Sequence, residues 1–221
     1  MIRQDGDRMT QRSPTAAESR ATPMNSAQAE QASPPPLFAR VLGHAFHDLP
    51  AAVRRLHESH TRRVHHGTIE VTRGAGWLSR LIAWLTALPP AGKHALSVVI
   101  EVEGQQERWT RRMGAHAMPS RLWAHDDELR EQLGPVQFRY RLSVHAGRLR
   151  WHVQGVRVLG VLPLPVRWFD AVRAEEFDAD GRYRFDVSAA LPLAGLLVHY
   201  RGALDVADAG DDATRLNTPM G

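Results

Sequence analysis

The chain has 221 residues, enough to bury one good core but not several large domains. Its 43% hydrophobic content marks a folding sequence, and the absence of cysteine removes disulfides, zinc–thiolate sites and thiol nucleophiles. Basic residues number 28 against 24 acidic, a net charge of only +4, and the clustered bases with interleaved aromatics that a nucleic-acid binder needs are missing.

Residues 1–36 are polar and small, ending in Pro34, Pro35 and Pro36, and read as a disordered tail. Residues 37–206 read as a single folded domain, and residues 207–221 as a second disordered tail. The body opens with "LFARVLGHAFHDL", where Leu37, Phe38, Val41, Leu42, Ala45 and Leu49 recur at helical spacing. Asp48 is placed to cap a second short helix, "PAAVRRLHES", with Pro50 in its first turn.

The period then changes to two. "RVHHGTIEVTR" predicts a strand, and "HALSVVIEVEG" with "QERWTRRMG" predicts a hairpin turning at Gly104. "PVQFRYRLSV" sets Phe138, Tyr140, Leu142 and Val144 against Arg139 and Arg141, and "HAGR" turns the chain into "LRWHVQGVRV". "YRFDVSAAL" and "GLLVHYRGALDV" alternate in the same way after the turn signal "DADG". About eight strands with short turns imply an antiparallel sheet, buried on one face and wet on the other. A sheet that long must curl. The expected fold is therefore α+β, mainly antiparallel β: a strongly curved meander or barrel-like, calycin-like body with N-terminal helices.

Between the first strand and the hairpin lies the most apolar stretch of the chain, "GWLSRLIAWLTALPP". It predicts one inserted helix over residues 75–88. Trp77, Trp84, Leu81, Leu85, Leu78, Leu88 and Ile82 fall within an arc of about 160°. Burying them is worth on the order of 10–20 kcal/mol. Such a helix can fill the concave side of the sheet, lie over a barrel mouth, or rest on a membrane surface. Interfacial helices usually carry a basic polar face, and this one carries only Arg80.

The chemistry-bearing clusters are sparse. "HESHTRRVHH" gathers four histidines, but Arg54, Arg55, Arg62 and Arg63 would repel a cation, so a basic exposed connection is expected and no metal site. Glu175 and Glu176 are neighbours, and neighbours on a strand face opposite sides. In "HYRG", Tyr200 points to one face while His199 and Arg201 point to the other, and Gly202 suits a bulge or a close backbone approach. Pro163 and Pro165 exclude the apolar "GVLPLPVRW" from a central strand. No nucleophile elbow and no dinucleotide fingerprint is present. The case for an enzyme is thin.

In order, "FARVLGHAFHDLP", "VTRGAGWLSRLIAWLTALPPAG", "ERWTRRMG", "LREQLGPVQFRYRLSV", "GRLRWHVQGVRVLGVLPLPVRW" and "GRYRFDVSAALPLAGLLVHYRGAL" resemble the bacterial domain of unknown function family 4166. The resemblance covers the body and neither tail, and it implies no activity. Similar domains can follow NAD(P)-binding, dehydrogenase-like domains, which implies an accessory role beside an oxidoreductase.

The leading expectation is non-enzymatic binding of a small apolar or amphipathic molecule inside the curled sheet, with no cofactor. Its expected contacts are Trp77, Leu81, Trp84, Trp109, Tyr140, Trp151, Tyr200 and Arg201. The alternative is an interaction module for a separate NAD(P)-dependent oxidoreductase-like protein. With no apolar leader and no run near the roughly 20 apolar residues of a membrane span, a cytoplasmic chain is expected.

Overall fold

The structure is a computed structural model and describes residues 34–76 and 88–206. Alternating inward and outward side chains generate eleven strands, and ten of them close into an antiparallel barrel. In chain order they are β1 (Arg63–Arg73), β2 (Gly92–Glu103), β3 (Gln106–Met113), β4 (His116–His125), β5 (Glu128–Leu133) and β6 (Val136–His145). There follow β7 (Arg148–Val158), β8 (Leu162–Leu164), β9 (Arg173–Ala179), β10 (Arg182–Leu191) and β11 (Gly195–Asp205). The ring runs from β1 to β7 in sequence order, then through β9, β10 and β11 back to β1.

The closing seam is short. Arg148, Leu149 and Arg150 of β7 pair with Phe177, Glu176 and Glu175 of β9. The far half of β7 pairs instead with β8, which holds Pro163 and is confined to the edge. This flank carries its own small core of Val136, Val156 and Phe169.

The described residues form eleven strands against the expected eight or so, seven of which the sequence located. The four it did not locate are β4, β5, β9 and the three-residue β8. Gly104 turns the β2–β3 hairpin at φ 64°, as expected. Gly67 and Gly202 sit where β1 and β11 approach closely: a Cβ on Gly67 would land on the carbonyl oxygen of Ala203, and one on Gly202 on that of Thr68. The close-approach reading of Gly202 therefore holds.

Two corrections concern the helices. The first predicted helix is split: α1 covers Leu37–Leu42, Gly43 takes φ 55°, and a 3-10 segment follows over Gly43–Asp48. Helix α2 covers Ala51–His57, but Asp48 does not cap it. The amide of Ala52 donates instead to Oδ2 of Asp178 on β9, at 3.4 Å. That contact ties α2 to the barrel rim. Phe38, Ala52, Val53 and Leu56 are fully buried and close this end of the barrel. The predicted helix over residues 75–88 falls almost wholly on residues 77–87, outside the described residues. β1 ends and β2 begins at the end of the barrel opposite α1 and α2, where Arg73 donates to the carbonyls of Leu88 and Pro89.

Candidate functional site: the barrel interior

Register fixes which side chains face inward. Trp109 stands beside Ile100 and Ser120, Tyr140 beside Leu129 and Val153, and Tyr200 beside Val71 and Val187. Ten strands enclose more room than their side chains fill, and two adjoining chambers result. An inner one of about 110 Å³ touches Trp109, Trp151, Tyr183 and Glu176. An outer one of about 400 Å³ lies toward the end opposite the helices and is walled by apolar residues such as Phe138, Val156, Phe169, Ala189 and Val198. Arg111, Met118, Glu131, Tyr140, Val187 and Tyr200 line both and form a waist between them.

The waist is polar. Arg111 donates to Oγ of Ser120 at 2.9 Å and reaches Oε1 of Glu131 at 3.4 Å, and its guanidinium lies 5.1 Å from the Trp109 ring. Burial pushes the Tyr200 phenol up to about 12 and the Tyr140 phenol well above its ordinary value. Both phenols therefore stay protonated and can donate a hydrogen bond into the cavity. The indole Nε1 of Trp151 is buried with no hydrogen-bond partner among the described residues, and the same side chain lines the inner chamber.

At the sealed end a second cluster links helices to barrel. Nε2 of His57 lies 2.6 Å from Oε2 of Glu176, with Phe38 stacked on the imidazole at 3.6 Å between ring centres. Trp109 donates to Glu107 at 2.8 Å. Burial raises the Glu107 carboxyl above its ordinary range, more than this hydrogen bond and the neighbouring His57 and Arg40 lower it. Burial raises the Tyr183 phenol as well, helped by the nearby Glu176 carboxylate.

Of the sequence-predicted contacts, Trp109, Tyr140, Trp151 and Tyr200 converge on the inner chamber. Trp77, Leu81 and Trp84 lie outside the described residues. Arg201 faces outward, where its Nη2 donates to Glu70 at 3.0 Å, and the guanidinium lowers the Glu70 carboxyl. Glu175 and Glu176 do take opposite faces: Glu175 binds Arg148 and Arg150 outside, and Glu176 binds His57 inside. The histidine cluster is not all exposed. His60 and His66 face solvent, but His57 and His65 are buried.

Sequence reasoning missed Arg111, Glu131 and Glu176 as interior groups. The parity of each strand holds the signal. Arg111 is two residues from Trp109 and two from Met113, and Glu131 stands between Leu129 and Leu133.

No curated protein matches this chain. A family described as a domain of unknown function, DUF4166, matches residues 49–204. That span takes in α2 and all of the barrel but the last residue of β11, and the chain belongs to the DUF4166 family.

Proposed function

We propose that this protein binds a small apolar or amphipathic molecule inside the barrel, without catalysis. The observation that carries the reading is the 400 Å³ outer chamber: apolar walls, with the polar side chains of its described lining gathered on the side shared with the inner chamber. Ligand pockets share this size and this division of labour, with apolar surface for affinity and a few fixed polar groups for orientation. The polar part of an amphipathic ligand would meet Arg111, Glu131, Tyr140 and Tyr200. Its apolar part would extend toward Phe138 and Val156. The cytoplasm is the compartment in which we expect it to act.

The test is titration of the full chain with an uncharged naphthylamine dye whose emission rises in apolar surroundings. We expect saturable binding, and we expect Ala189→Trp, which fills the outer chamber, to weaken it about tenfold or more with little change in unfolding temperature. Dye that fails to bind the wild-type chain, or binds the Trp variant equally well, would refute the reading.

A further inference from the structure

The described residues expose seven large apolar side chains, and six of them sit at the end of the barrel opposite α1 and α2. Leu159 and Val161 occupy the β7–β8 turn, Leu162 begins β8, Val166 and Trp168 lie in the 3-10 segment that follows, and Leu193 in the β10–β11 turn. Leu193 is 91% exposed, Val161 81% and Leu159 75%. Scattered exposed apolar residues need no explanation, but a gathering of them at one end does.

Leu159 is costly twice over. It takes φ 54° and is followed by Gly160 at φ 73°, with the Val161 amide bonded to the Val158 carbonyl. This positive-φ turn favours Asn or Asp before the glycine. A leucine here is strained in its backbone and unsolvated in its side chain. Such a choice points to a surface that the side chain enters.

Charge supplies the second observation. Arg157, Arg167 and Arg173 are exposed around the same loops, and none makes an ion pair with a described residue. Asp170 is the only acid between Arg157 and Arg173. The barrel wall itself is unlike this end. It carries ion pairs such as Arg201–Glu70, Arg139–Glu128 and Arg150–Glu175, so it faces water.

We infer that the end of the barrel opposite α1 and α2 docks on an anionic lipid surface, with Leu159, Val161 and Leu193 entering the acyl boundary and Arg157, Arg167 and Arg173 lying among the headgroups. Apolar tips beside basic side chains are the pattern of an interfacial contact. A fluid bilayer can fit separate protruding loops. A second copy meeting end to end would oppose two sets of basic side chains. Leu159 also lines the outer chamber, so the docked face is continuous with the cavity. This inference goes beyond the ligand-binding reading and stands without it.

Flotation of the full 221-residue chain with vesicles tests it, comparing phosphatidylcholine alone with a mixture containing phosphatidylglycerol. We expect flotation with the anionic vesicles. Each surface cation contributes roughly fivefold in affinity, so Arg157→Glu with Arg167→Glu should weaken binding by more than about twentyfold. Val161→Asp with Leu193→Asp should weaken it about tenfold or more. Leu159→Asn is the variant that separates docking from folding: it matches the turn, so the unfolding temperature holds or rises while vesicle binding falls. Absence of flotation, or flotation indifferent to these substitutions, overturns the inference. So does a concentration-dependent dimer, or capture of an oxidoreductase, that the same substitutions abolish. Dye binding in solution without vesicle binding leaves the ligand reading standing and this one refuted, and vesicle binding without dye uptake does the reverse.

Discussion

His57 and Glu107 show how single residues in the barrel differ in what they hold up. His57 is wholly buried and is the hydrogen-bond partner given to the buried Glu176 carboxylate by α2. Replacing it by alanine takes from that carboxylate its partner on α2, leaving the Tyr183 phenol beside it, and removes the ring on which Phe38 stacks. We expect His57→Ala to cost about 3 kcal/mol or more, read from urea unfolding. Glu107 works in the other direction. Its folded pKa is raised above 4.5, chiefly by burial. The folded chain thus keeps a proton at pH values where the unfolded chain has lost it. Stability from this group is present below about 4.5 and is lost as pH rises through the folded value. Glu107→Gln keeps an acceptor for Trp109 and removes the titration. Urea midpoints measured from about pH 5 to about pH 8 should fall less steeply for the variant than for the wild type.

At the scale of elements, the glycines of the wall separate cases that look alike in sequence. Gly67→Ala and Gly202→Ala each drive a Cβ into backbone carbonyl oxygen of the adjoining strand, which cannot yield without spreading β1 from β11. Gly155→Ala instead meets the Arg139 side chain, 2.6 Å from its Nε, and that side chain can swing away. Thermal unfolding should show losses of about 3 kcal/mol or more for the first two and less than about 1 kcal/mol for the third. The strands most legible in sequence were those whose inward residues are all apolar, such as β6 and β10, and β3 was legible beside β2 through the turn at Gly104 despite its inward Glu107 and Arg111. Strands β5 and β9 were illegible because Glu131, Glu176 and Asp178 occupy inward positions, which breaks the period-two signal. In β4 the interruptions are Pro119 and the inward Ser120. The Asp48 cap failed for a related reason: the acceptor that α2 uses lies on a strand remote in sequence, and no local pattern announces it.

For the molecule as a whole, curvature was legible and closure was not. Alternation and short turns require an antiparallel sheet that bends, but they do not count strands, and the missed β4, β5 and β9 are needed to complete the ring. Likewise the inward placement of four aromatics followed from parity alone, whereas the polar waist depended on pairing across β3, β4 and β5. The two ends of the barrel follow from different residues. Helices α1 and α2 stopper one with Phe38 and Leu56, while the described turns at the other carry Leu159, Val161 and Leu193 at their tips. The stopper is made early in the chain and seated on a late strand: Ala52 and His57 meet Asp178 and Glu176, which lie 126 and 119 residues further along. It can therefore set only once β9 has joined the ring.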